Sequence, residues 1–322
     1  MRVLLLLLLT ISSVVHTNAQ SLSLNYISHQ IIMRDANGLE DIGGLSGITY
    51  NPISGHFIAC ADKPQSRLVI FSYNDDSQYF NPIRKKLLSP EPLGKSELEG
   101  IVFDETSASF IVSDEQANGT RIFNLDSAAK FLSIMLPKNK PYFDLSAHNS
   151  GIEGLSISDD KKTLYFAYER PVKSCFEEQI TTIGSLNLKS GEVDLFAYKL
   201  HPVANDDLKT NGISEILWLN QNNLLVMERA YIPGKGNFVR VYETSLENPI
   251  ADKNEIIDCK QTRLQPLTSK LIFDFINVQE VKIDNAEGMT FNDDRSKLII
   301  VTDDNFNTSQ ETQLITLGVV WN

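Results

Sequence analysis

The amino-acid sequence predicts an all-β fold, a single β-propeller of five four-stranded blades, with six blades as the alternative. Two observations carry this. A short motif recurs five times, as Leu45-Ser46-Gly47-Ile48, Leu98-Glu99-Gly100-Ile101, Ile152-Glu153-Gly154-Leu155, the degenerate Ile213-Ser214-Glu215-Ile216 and Ala286-Glu287-Gly288-Met289. Each copy is followed by a polar turn and an apolar run that ends in charge, at Asp62, Asp114-Glu115, Glu169-Arg170, Glu228-Arg229 and Asp303-Asp304.

Taken in order, residues 1–19 carry Arg2, an apolar run and Thr17-Asn18-Ala19, the layout of a secretory signal peptide. Cleavage there leaves 20–322 as one exported domain, secreted or periplasmic. The apolar run is shorter than the roughly 20 residues that cross a bilayer, and no later stretch is apolar enough, so no membrane span is expected after cleavage. Residues 21–33 alternate apolar and polar side chains and read as a strand. Repeat one supplies strands over 47–50, 57–61, 67–73 and 83–88, and repeat two over 101–103, 110–112, 120–125 and 131–136. Repeat three gives 155–157, 163–168, 181–187 and 193–199. Repeat four starts at Glu215 and continues over 224–227, 238–243 and, after a long connection, 270–275. Repeat five has three strands, over 289–291, 298–302 and 313–319, and the strand at 21–33 is expected to fill the empty fourth place and close the ring. A sixth blade has room only within 239–275.

The formal charge of −12 over 322 residues excludes a nucleic-acid partner, which needs clustered Lys and Arg against phosphate. An anionic ligand would therefore need a bound cation. No Gly-x-Ser-x-Gly is present, so an α/β-hydrolase nucleophile is absent, and the five histidines show no zinc-ligand spacing. Of the three cysteines, Cys60 sits in a strand run and reads as buried, while Cys175 and Cys259 lie in polar connections and are either bridged or free. A monomer acting on a small anionic substrate is expected.

In a propeller, the start of each inner strand and the end of the next strand meet at one mouth of the channel. That mouth should gather Ser46 with Asp62 and Lys63, Glu99 with Asp114 and Glu115, Glu153 with Glu169, Glu215 with Glu228, and Glu287 with Asp303. Crowded carboxylates raise one another's pKa unless neutralised. Two readings stay open. Calcium held by Glu99, Glu153, Glu215 and Glu287, with Asp114 and Asp303 as further ligands, resolves the conflict with oxygen donors alone. Otherwise each Glu caps its neighbouring strand. Arg170 and Arg229 either fork onto a phosphate or carboxylate ligand or neutralise the surplus acid as ion pairs. Tyr231 and Lys235 follow on a loop over the same mouth and, with Lys63, are the other candidate ligand contacts. His148, on the loop before Glu153, is an acid or base candidate or a plain surface residue.

These motifs, with Leu225-Val226-Met227-Glu228-Arg229, Gly236-Asn237 and Arg240-Val241-Tyr242, resemble the phytase-like family described by "esterase-like activity of phytase", a group of exported propeller proteins, over residues 39–317. The resemblance implies a β-propeller and a calcium-dependent hydrolase of phosphate or other esters, with phytate as one substrate. The alternative is a noncatalytic propeller that binds a ligand or partner and uses a cation for stability. The resemblance assigns no catalytic residue, which leaves Arg170, Arg229 and His148 as candidates.

Overall fold

The computed structural model describes residues 22–88, 96–115, 121–135, 151–204, 206–207, 209–257, 259 and 264–321. Its twenty strands form five antiparallel four-stranded sheets. Blade one is β2 (Leu45–Asn51), β3 (His56–Ala61), β4 (Arg67–Asn74) and β5 (Tyr79–Leu87). Blade two is β6 (Leu98–Asp104), β7 (Ser109–Asp114), β8 (Arg121–Leu125) and β9 (Phe131–Ile134), and blade three is β10 (Ile152–Ile157), β11 (Thr163–Tyr168), β12 (Ile180–Asn187) and β13 (Val193–Lys199). Blade four is β14 (Gly212–Asn220), β15 (Asn223–Ile232), β16 (Gly236–Ser245) and β17 (Ser269–Asp274). In blade five, β18 (Asn285–Phe291), β19 (Lys297–Asp303) and β20 (Thr312–Trp321) are completed by the N-terminal β1 (Leu22–Ile32), which pairs with β20 from Leu22 opposite Trp321 to Ile32 opposite Thr312.

The five-bladed count and the closing strand are as the sequence predicts. Residues 239–275 hold no sixth blade. They form β16, a connection with the one-turn helix α1 (Asn254–Ile257), and β17. A disulfide between Cys175 and Cys259 ties that connection to blade three, and Cys60 is free and buried. No helix among the described residues is long and apolar enough to cross a membrane.

Each buried apolar cluster joins two neighbouring blades. Ile58, Cys60 and Leu68 of blade one pack with Ile101, Val112 and Phe123 of blade two. Ile299, Val301 and Leu314 of blade five pack with Ile48, Phe57 and Phe71 of blade one. Five clusters therefore fill five seams. This is why the middle strands are apolar on both faces: each sheet is covered on either side by another sheet. Short Asx turns close the hairpins, as where Asn51 Oδ1 accepts from the amides of Ile53 and Ser54, and Asn187 Oδ1 from those of Lys189 and Ser190.

The recurrent glycine has a steric reason. A Cβ on Gly47 would lie 2.5 Å from Glu99 O, one on Gly100 2.4 Å from Glu153 O, and one on Gly288 2.7 Å from Ile48 N. The inner strands of adjacent blades touch backbone to backbone at this level, which only glycine permits.

Candidate functional site: a carboxylate-lined channel mouth

Every inner strand breaks register at its motif. The ladder passes from Leu45 to Gly47, Ile152 to Gly154, Ile213 to Glu215 and Ala286 to Gly288, leaving Ser46, Glu153, Ser214 and Glu287 unpaired. In blade two the break spans Glu99-Gly100. These bulges free one side chain per blade and aim it into the mouth. The second strands add a rim, one residue beyond the partner of the motif's first residue: Asp62, Glu115, Glu169, Arg229 and Asp303. Two rings of five result. They hold seven carboxylates and a single guanidinium, that of Arg229.

Blade four corrects the sequence reading. Its unpaired residue is Ser214, and Glu215 stands where the other blades have glycine. Glu215 is 1% exposed, and its Oε1 accepts from the amides of Leu155 and Ile216, each at 2.9 Å. Burial pushes its pKa well above the usual range, against the pull of those amides and that of Met289. It thus ties the inner strands of blades three, four and five together, in the capping role, and is not part of the ring of mouth carboxylates. Asp114 is likewise engaged elsewhere. It is fully buried, paired with Arg121 one strand outward, and its Oδ1 accepts from the Glu97 amide at 2.6 Å. Pairing of Leu98 with Asp114 turns Glu115, not Asp114, to the mouth.

Of the remaining predicted residues, Glu99, Glu153, Glu287, Asp303 and Arg229 lie close enough to act on one another's charge. Burial, reinforced by Asp62, Glu287, Glu115 and Glu169, holds the Glu99 carboxyl well above its usual range, and burial with Glu99, Glu169 and Glu287 does the same to Glu153. Burial lifts Glu287 to about 8 even though Arg229 pulls it down, and lifts Asp303 to about 6. Arg229 Nη2 lies 3.2 Å from Glu287 Oε1 and 3.6 Å from Glu169 Oε1, and its Nη1 donates to Asn285 Oδ1 at 2.5 Å. Asn285 in turn donates to Glu287 Oε1 at 2.6 Å. Arg170 pairs with Glu169 at 3.1 Å and donates to the Thr210 carbonyl. Lys63 is largely exposed and sits 3.2 Å from Asp62. Among the described residues, Glu287 Oε2, Arg229 Nε and Ser214 Oγ are buried with no hydrogen-bond partner. His148 lies outside the described residues. Tyr231 and Lys235 line a groove between blades four and five that Asn285 connects to the mouth. Glu115 and Glu169 stand at the mouth as the sequence places them, and Asn285 is the mouth residue that motif reading did not single out.

The sequence matches the family described as "Phytase-like: Esterase-like activity of phytase" over residues 40–306. The chain belongs to this phytase-like family. Search of curated proteins returned no match. Among solved structures, the phytase-like propeller is similar to one described as a nidogen/laminin complex, at TM-score 0.45 and 9% identity, covering 93% of this chain and 98% of that one. It is also similar to a luciferin-regenerating enzyme, at TM-score 0.45 and 10% identity, with 92% and 95% covered. A gluconolactonase from Xanthomonas campestris follows at TM-score 0.39 and 12% identity, with 87% and 74% covered.

Proposed function

We propose that this phytase-like propeller hydrolyses small anionic esters, phosphate esters first among them, at the carboxylate mouth, with calcium bound there. One observation carries the reading: the two rings hold seven carboxylates to one arginine, and Glu287 Oε2 is buried with no hydrogen-bond partner among the described residues. Donors that are oxygen only suit a hard cation. Glu99, Glu153 and Glu287 would hold the ion, with Asp303 as a further ligand. Glu215 and Asp114 leave that set, since strand amides and Arg121 already occupy them. Among the described residues no three ligand side chains are yet gathered into a finished cage, so binding would draw the glutamates inward from their bulges. Bound calcium supplies positive charge to an ester oxygen and makes water a better nucleophile near neutral pH.

The chain's own residues do the rest. Arg229, relieved of Glu287, turns its fork toward the anion, and Arg170 stands beside it on Glu169. Read as an export leader, residues 1–19 would put this chemistry outside the cytoplasm. Assay of the purified protein on 4-nitrophenyl phosphate, phytate and 4-nitrophenyl acetate, with calcium and then with chelator, tests the reading. Turnover lost on chelation is expected, and no chelator-sensitive turnover on any ester sinks it.

A noncatalytic binding propeller is the second reading. It is favoured by the commitment of Arg170 and Arg229 to Glu169, Glu287 and the Thr210 carbonyl. A calcium-dependent rise in Tm with no ester turnover supports it.

A further inference from the structure

Beside the acidic mouth lies a groove of different chemistry. It runs between blades four and five, has a volume of about 820 Å³ and is lined by the loop after β15, the segment before β18 and the turn between β19 and β20. Its charges balance: Lys235 and Lys282 against Asp284 and Glu311. Neither lysine has a carboxylate partner among the described residues, and Asp284 is saturated. Asp284 Oδ1 accepts from Asn237 Nδ2 at 3.3 Å and Gln310 Nε2 at 3.0 Å, and its Oδ2 accepts from the Glu311 amide at 2.8 Å. Asp284 is thus a hub that fixes the two amide side chains of Asn237 and Gln310 at the groove, where each amide keeps hydrogen-bonding capacity beyond its bond to Asp284. Tyr231, 52% exposed, stands at the edge as a rigid ring with one apolar face available.

We propose that this groove seats a polyhydroxylated ring, a sugar or sugar monophosphate, so that the mouth acts on an ester of a carbohydrate and not on a polyphosphate. Fixed amides that both donate and accept match the alternating donor and acceptor character of vicinal hydroxyls, and the tyrosine face covers the apolar side of a pyranose. Two lysines suffice for one phosphate. A ligand with six phosphates would set its remaining charge against the seven carboxylates next door. Asn285 lines the groove and bonds both Arg229 and Glu287, so an ester group attached to a seated ring lies beside the mouth. The inference rests on the ester-hydrolase reading for its consequence and not for its binding step.

The test is calorimetric titration of the full chain with glucose, mannose and galactose, their 6-phosphates, and inositol hexakisphosphate, in chelator and in calcium. The expected result is saturable binding of at least one hexose monophosphate that persists in chelator and in Glu99→Gln/Glu153→Gln. Tyr231→Ala and Asn237→Ala should each weaken it roughly tenfold, the size of a lost stacking or well-made polar contact. Both are exposed or half-buried positions, and an unchanged Tm in each variant shows that folding is intact. Failure of every hexose compound to bind overturns the proposal. So does indifference of binding to both substitutions, or tighter binding of the hexakisphosphate through Lys235. Sugar binding without turnover on any ester instead retires the hydrolase reading and leaves the groove assigned.

Discussion

Arg229 Nη2 meets Glu287 Oε1 at 3.2 Å across the seam between blades four and five, and this contact brings the only guanidinium of the two rings to one of their seven carboxylates. Burial works against the arginine's charge, and Glu287, Glu169 and Glu153 more than offset it. Replacing Arg229 by Leu strands Glu287 and leaves Glu169 to Arg170 alone, which should cost about 3–5 kcal/mol in urea unfolding measured in chelator. Calcium should recover part of the loss. An unchanged midpoint would show that the pair does not hold the mouth together.

The metal-free protein should lose stability as pH rises. The Glu287 carboxyl is lifted to about 8 in the folded state, against an unfolded value near 4.5, so in this window the native chain binds more protons than the unfolded one. Its stabilising share is full below the lower value and gone above the higher. Glu99 and Glu153, also raised, act in the same sense. Denaturation midpoints in chelator should fall from pH 5 to pH 8.5 by a few kcal/mol in all. Calcium displaces those protons, so its affinity should climb over the same range. A flat profile in chelator would contradict both statements.

Asp114 and Arg121 form a buried pair that faces away from the mouth. Asp114→Ala should therefore cost about 3–5 kcal/mol by breaking a buried charge pair. The shift in melting temperature on adding calcium should stay as in the parent protein, which separates this carboxylate from Glu99 and Glu153.

Gly100→Ala sets a methyl 2.4 Å from Glu153 O, a backbone atom that cannot step aside without moving blade three. A loss at or beyond the usual 1–3 kcal/mol of overpacking is expected, read as a lower Tm. Gly191→Ala meets nothing within 4 Å but holds a left-handed φ of +73°, so any loss there comes from backbone strain alone.

Cys175 and Cys259 are 84 positions apart, and their bridge closes the connection that carries α1 onto blade three. Loop-closure entropy gives about 4–5 kcal/mol for a loop of this size. The Cys175→Ser/Cys259→Ser variant should lose a large part of that in guanidinium unfolding, and reductant should lower the parent but not the variant.

The fold was legible because five copies of one unit each demand the same two-sided burial, and because a blade short of a strand points to a strand in search of a blade. The site was less so. Blade four has lost its glycine, and in Ile213-Ser214-Glu215-Ile216 the linear text favours the glutamate as the counterpart of Glu287, whereas the β-bulge aligns Ser214 with it. A bulge shifts which face a side chain takes by one residue, and no local propensity marks it. Asp114 was misplaced for the same reason: the choice between it and Glu115 depends on the register against Leu98 and on Arg121, a partner in the next strand. Of the groove residues, the sequence picks out Tyr231 and Lys235 as ligand contacts, whereas Lys282, Asp284 and Gln310 lie between strands, where polar composition carries no period to read.

The pairing of β1 with β20 also sets a schedule. Leu22 and Trp321 are neighbours in space and almost the full chain apart in sequence. The first strand to be made must wait, with its edge and its apolar face uncovered, until the last has emerged. Four blades can each organise within one continuous stretch of chain, but the seam that completes the circle joins the described residues farthest apart in sequence and is expected to form late and slowly. Until then the molecule is an open arc with two adhesive ends, and the same latch that makes the finished ring resistant to opening leaves the unfinished one exposed to partners other than itself.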